Sequence, residues 1–230
     1  DGTNGLKEPI SSTFTGHNLT IKVNAAADST VQAEAINDIA TYTKGKVILD
    51  TDTATAGNQS PAITGTVTAI NDLYADSKIE GKSGSALTIV SGATAAQVAA
   101  LDAKTTGAIT ATVTDGDMAT LSSLDANNNL SVQVSDTSIV ATELTALDAK
   151  VSGQLQVTAD NTITGTLAEV NAVIAATTIT GRDVAKYSVN DSITVAEAAT
   201  LAAATSGAVT ATITETDLDS LLGKGILTVK

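Results

Sequence analysis

A chain of 230 residues with no Cys or Trp and only one Phe, one Met and one His must build its core from Val, Ile, Leu and Ala, which suits thin, regular layers. The lack of cysteine excludes a disulfide framework and thiolate metal sites, and a formal net charge of -13 argues against nucleic acid and anionic membrane surfaces as partners. No apolar run is long enough to span a bilayer and no signal peptide opens the sequence, so membrane insertion is not expected and the chain reads as a mature form or an excised fragment.

Residues 1–18, "DGTNGLKEPISSTFTGHN", match no later segment. Ile10 and Phe14 suit extended docking and Pro9 blocks helix, so this extension reads as an arm for contact with another copy. His17, the lone histidine, lies in a polar stretch and reads as a surface residue. From residue 19 the repeats begin. "LTIKVN" (19–24) alternates as a half-buried strand does, and Ser29-x-x-Gln32 has the form of a capping box that opens a helix. "AINDIA" (35–40) resembles "AINDLY" (69–74). Between them, "DTDTATAGN" (50–58) gathers oxygen ligands of the kind calcium requires, Asp50 and Asp52 among them. "GKSGS" (81–85) lacks the glycine spacing of a phosphate loop and reads as a turn.

The central stretch repeats most clearly. "ALTIVS" (86–91) predicts a strand and Thr94-x-x-Gln97 a helix start; "LDAK" (101–104) closes the helix and Gly107 stops it. "AITATVT" (108–114) puts Ile109, Ala111 and Val113 on one face and threonines on the other. Asp115 and Asp117 follow, either as favourable charges at a helix start or as a second weak calcium site. Met118, Leu121 and Leu124 have helical spacing. "LSVQVSD" (130–136) is the next strand, Leu144, Leu147 and Val151 the next helical face, and Gly153 the next stop. "QLQVTAD" (154–160), the boxes Thr166-x-x-Glu169 and Thr194-x-x-Glu197, the face Leu167, Val170 and Ile174, Gly207 and "AVTATIT" (208–214) continue the rhythm. "GILTVK" (225–230) reads as a strand whose edge, at Leu227 and Val229, offers a template for pairing.

Two periods organise this. Residues 63–123 align without a gap to 163–223, with 22 identities in 61 positions. A 23-residue period returns an acidic or amide residue to one place, from Asp102 to Asp125, Asp148 and Asn171, with Asn37 and Asn71 earlier at wider intervals. One strand and one short helix per interval cannot close a core alone, so residues 19–230 are expected to stack as an α/β repeat, a solenoid-like array of short parallel strands and short helices in about eight units. In such a stack Asn37, Asn71, Asp102, Asp125, Asp148 and Asn171 would form a structural column at the helix ends, satisfying backbone groups of the following turn.

"ATAAQVAALDAKTTGAITATVTDGDMATLSSLDA" (93–126) and "ITVAEAATLAAATSGAVTATITETDLDSLL" (193–222) resemble the Ala/Thr-rich repeats of very large secreted and cell-surface bacterial proteins, cyanobacterial ones especially. The resemblance implies an extracellular structural or adhesive role and transfers no functional residue. No catalytic constellation is legible, and no cofactor is expected beyond calcium. The expectation is therefore a non-enzymatic subunit of a surface layer, fibre or adhesin that associates with itself head to tail. Three rivals stand beside it: a carbohydrate-binding module, for which three Tyr and no Trp are few aromatics; an ice-binding face using Thr110/Thr112 and Thr210/Thr212; and a polysaccharide-cleaving solenoid enzyme. Asn18, Asn58, Asn129 and Asn190 carry the N-glycosylation pattern, which chance readily produces in so Thr-rich a chain.

Overall fold

The computed structural model describes residues 17–25, 30–51 and 60–214. They form an α/β structure in two compact units, Asp1–Thr112 and Val113–Lys230. The first contains β1 (Ile21–Ala25), β2 (Thr30–Gln32), α1 (Ala33–Thr41), β3 (Val47–Thr51), β4 (Ala62–Gly65), α2 (Val67–Ala75), β5 (Ile79–Glu80), β6 (Leu87–Ile89), α3 (Ala95–Asp102) and β7 (Ile109–Thr112). The second contains α4 (Met118–Leu121), β8 (Asn129–Gln133), β9 (Ser138–Val140), α5 (Ala141–Asp148), β10 (Leu155–Gln156), β11 (Thr162–Gly165), α6 (Leu167–Ala175), β12 (Ile179–Thr180), β13 (Lys186–Ile193), α7 (Val195–Ala204) and β14 (Val209–Ile213).

All the strand pairs described within a unit are parallel, as right-handed crossovers through short helices require. In the first unit β1-β3-β5 and β2-β4-β6-β7 are neighbours in order; in the second, β8-β10-β12 and β9-β11-β13-β14. The registers show why two-residue alternation builds a core. Ile63 stands opposite Leu87 and Leu87 opposite Ile109, and all three are at most 1% exposed. Val132, Leu155 and Ile179 form a like row in the second unit, as do Ile139, Ile163 and Tyr187. Each such side chain contributes about 1.5–3 kcal/mol by burial, so aliphatic rows replace the aromatics this chain lacks.

The strands predicted within the described residues are present, with Val132 and Val134 buried and Gln133 exposed, while the one expected at 225–230 lies outside the described residues. The number of strands is the difference. Most helices are preceded by a second, very short strand, such as β4 and β11, which carry the two "ITGT" tags. Three or four residues with one fully buried aliphatic do not display a period, so sequence alternation does not reveal them. Likewise Gln32 lies in β2 and caps α1 without a side-chain hydrogen bond, which corrects the capping box expected there; Ser29 is outside the described residues. The boxes at Thr94/Gln97, Thr166/Glu169 and Thr194/Glu197 are complete, with both reciprocal bonds. α4 is shorter than the spacing of Met118, Leu121 and Leu124 implies: it ends at Leu121, and Leu124 is buried beyond it. On α6 it is Val170 and Val173 that are buried, while Ile174 is half-buried.

Glycines after the helices do not act as left-handed caps. α3 ends on Ala103 in the right-handed region, and the positive φ angles belong to Gly81, Gly92 and Gly181. Gly107 is required for another reason: a Cβ there would lie 2.3 Å from the Ser85 carbonyl oxygen. Gly45, Gly153 and Gly207 meet the carbonyls of Leu19, Leu130 and Ala185 in the same way. At each of these glycines the chain passes so close to the backbone of a segment 22 to 26 residues earlier that no side chain fits.

Helix C-termini are closed by cations. Lys82 Nζ donates to the carbonyls of Leu73 (2.8 Å), Tyr74 (3.2 Å) and Asp76 (2.7 Å), which end α2. One hundred residues on, Arg182 donates from Nε to the Ile174 carbonyl at 3.0 Å, and from Nη1 to that of Ile179. Both serve orphan carbonyls and the negative end of the helix dipole. The offset extends to whole elements: Ala62–Gly65 and Thr162–Gly165, Val67–Ala75 and Leu167–Ala175, Ile79–Glu80 and Ile179–Thr180.

Candidate functional site

The six Asx positions fall into two structural sets. Asn37, Asn71 and Asn171 are each the fifth residue of a nine-residue helix, not a helix end, which corrects the expected placement. Asn37 Nδ2 donates to the Ala69 carbonyl at 2.8 Å, bridging α1 to α2. Asn71 donates to the Val67 carbonyl at 3.0 Å and accepts from Lys104 Nζ at 2.6 Å. Asn171 is exposed. Asp102 and Asp148 do close eight-residue helices, α3 and α5, and Asp125 lies in the turn after α4. Asp125 Oδ1 accepts the backbone N–H of Asn127 at 2.9 Å and its side-chain amide at 2.7 Å, an Asx turn. Asp148 Oδ2 accepts the Thr178 hydroxyl at 2.7 Å, while its Oδ1 is buried without a partner. Asp102 is engaged as well.

The calcium candidates that are described each take part in an interaction within the chain. Asp50 pairs with Lys22 at 2.8 Å. Asp117 is the N-cap of α4 and accepts the Thr120 N–H at 2.9 Å, a bond that holds its carboxyl below the usual carboxylate range. Asp115 has an interaction of its own, and Asp52 lies outside the described residues. Among the described residues no three His, Cys, Asp or Glu side chains gather as a metal-holding group. The assembly residues Ile10, Phe14, Leu227 and Val229 lie outside the described residues, as does Asn58. Asn18, Asn129 and Asn190 are exposed.

The outward threonines have more company than their nearest sequence neighbours suggest. Thr110 stands opposite Thr88, and Thr88 opposite Thr64, a row that ends at Gln32. Register partners 22 and 24 residues away in sequence carry this row, so it is invisible to an inspection of "LSVQV" alone.

Displaced acid–base groups all trace to structural bonds. Glu34 Oε1, on α1, accepts the N–H of Thr66 at 3.0 Å, supplying from the neighbouring helix the carboxylate that α2 lacks at its own third position. That bond holds Glu34 below the usual range. Glu197 is lowered by the Thr194 N–H in its capping box. Burial pushes Tyr187 up to about 12, and its hydroxyl donates to the Arg182 carbonyl at 2.8 Å. Burial lowers Lys82 in its carbonyl cage. In each case the perturbing partner is backbone or packing.

One of the concavities is lined by two acidic side chains and a lysine. It lies between α4 and α5, has a volume of about 420 Å³, and is lined by Met118, Ser122, Asp136, Glu143, Leu147 and Lys150, among others. No family model matches the chain, and neither a curated protein nor a solved structure does.

Proposed function

We propose that the chain is a non-enzymatic module of an extracellular structural assembly, a surface layer, fibre or adhesin, built as a β/α solenoid-like stack of about eight units and associating with further copies head to tail. The observation that carries this reading is how the polar side chains are used. Several acidic side chains hold the start of a helix to a neighbouring element: Glu34 takes the Thr66 amide at the start of α2, Asp191 the α6 amide of Leu167, and Asp136 the α4 amide of Met118. Coils joined by parallel ladders and cross-coil caps make a spacer whose units extend by simple addition. The N-terminal segment 1–18 and the segment around Leu227 and Val229 are the proposed contacts between copies, by strand pairing or groove docking. Such contacts are heterologous and produce an open polymer.

Sedimentation of the whole chain, and of a variant lacking residues 1–18, tests this. Polymers from the whole chain, lost with the deletion, are the expected result. Monomers from both at high concentration, with calcium present, would overturn it. The second reading, a carbohydrate- or ligand-binding module, has the groove between α4 and α5 in its favour.

A further inference from the structure

α4 is a single turn of four residues, while α5 beside it runs for eight. The flank of α5 that a longer α4 would cover therefore stays open. Glu143 and Leu147, one turn apart on α5, and Lys150, in the turn just after it, line the cavity together with Met118 and Ser122.

The two ends of the cavity differ in charge. At the start of α4, Asp136 Oδ2 accepts the Met118 N–H at 2.6 Å, and Glu143 stands in the first turn of α5. At the opposite end Lys150 Nζ donates to the carbonyl of Ser122, the C-cap of α4, at 2.6 Å. Those bonds pin Asp136 and Lys150 at the cavity without exhausting them, because a carboxylate offers about four lone-pair sites and an ammonium three donors. Glu143 is exposed. The half-buried Met118 and the exposed Ala146 supply apolar surface between the ends, above the buried Leu147. Glu143 stands in the first turn of α5 and Lys150 two residues past its last one, so a length on the order of 10 Å separates them.

We propose that this groove binds an elongated zwitterion, a ligand of the ω-amino-acid class. Its amine lies against Glu143 and Asp136, its methylene chain over Met118 and Ala146, and its carboxylate against Lys150. This gives the ligand-binding reading a chemical class, and it is read out separately from head-to-tail assembly, since a chain that stays monomeric can still bind.

The test is a titration of the isotope-labelled full chain with 8-aminooctanoate, followed by amide chemical shifts. Octylamine and octanoate are the single-charge controls, and 4-aminobutanoate is the short one. Saturable shifts at Met118 and Leu147 are expected, with affinity about tenfold weaker, one charged contact's worth, in Glu143→Gln and in Lys150→Gln. The three controls should bind at least as weakly as the variants. Shifts that stay linear, equal binding by octylamine, or unchanged affinity in Glu143→Gln each overturn the proposal. Glu143 is exposed and holds no fold contact in common with Lys150, so its variant decides the matter if Lys150→Gln disturbs the end of α4.

Discussion

The hydroxyl of Thr105 donates to the carbonyl of Ser85 at 2.6 Å and accepts the N–H of Gly107 at 3.0 Å, so one buried side chain ties a turn both to itself and to the segment that leads into β6. Thr205 repeats the arrangement with Ala185 and Gly207, and Thr43 repeats it with Leu19 and Gly45. Thr105→Val keeps the shape and removes both bonds. A loss of about 1–3 kcal/mol in urea denaturation is expected, with Thr105→Ser losing much less. Equal stability of the valine variant and the wild type would show that water replaces the hydroxyl.

Ser85 and Ala185 occupy matching positions in the 100-residue offset, and both are fully buried. The Ser85 hydroxyl has no partner. A buried unpaired hydroxyl costs free energy, and the later half of the chain dispenses with it. Ser85→Ala should therefore stabilise by up to about 1 kcal/mol. Gly107→Ala, on the other side of the same contact, should destabilise by about 1–3 kcal/mol or more, because its Cβ has no room beside the Ser85 carbonyl. Thermal midpoints of the two variants should move in opposite directions.

These contacts mark where sequence reading succeeds and where it stops. The alternation in "AITATVT" identifies the buried face because parallel register keeps Ile109 opposite Leu87 and buried. Thr-x-x-Gln/Glu identifies helix starts because the capping box is local. The Thr-x-Gly turn is just as regular, yet it bonds to a carbonyl 20 residues back, and nothing local marks that partner. The same holds for Glu34, whose cap lies 32 residues away. A search for recurring Thr-x-Gly after each helix (Thr43–Gly45, Thr105–Gly107, Thr205–Gly207) is the signal that would have found it. The groove between α4 and α5 was not legible, because it depends on α4 stopping at one turn although apolar spacing continues to Leu124.

Asp148 closes α5, where its negative charge opposes the helix dipole and its Oδ1 is buried without a partner. Asp148→Asn keeps an acceptor for Thr178 and turns the unpaired oxygen into an amide able to donate to nearby carbonyls. A stabilisation of about 0.5–1 kcal/mol is expected. Asp125→Asn should be close to neutral, since an Asn oxygen also accepts the Asn127 N–H, while Asp125→Leu should cost about 1 kcal/mol by abolishing the Asx turn. Destabilisation by both asparagine substitutions would restore a role for the carboxylate charge.

Strand register admits a sharper test. Val132 is 2% exposed and stands opposite Leu155, whereas Gln133 faces out opposite Gln156. Val132→Asp places an unpaired charge in the row and should cost 4 kcal/mol or more, roughly the limit for single substitutions. Gln133→Asp should change stability by no more than about 0.5 kcal/mol. Similar urea midpoints for the two would mean the strand is offset by one residue.

The cap that Glu34 of α1 places on the start of α2 makes stability depend on pH in a definite direction. Glu34 is held below the usual carboxylate range chiefly by the Thr66 N–H, so the folded chain keeps it ionised at a pH where the unfolded chain would protonate it. Its contribution is complete above the unfolded value and disappears as pH falls through the lower, folded one. Glu197 and Asp117, lowered in the same way by Thr194 and Thr120, act over the same acidic window. Glu34→Gln retains an acceptor for the Thr66 amide but cannot titrate. Thermal midpoints of wild type and variant should differ near neutral pH, with the wild type higher, and converge as pH drops below the ordinary carboxylate range. Parallel curves down to strongly acidic pH would show that the bond from Thr66 depends on geometry alone and that the charge on Glu34 adds nothing to it.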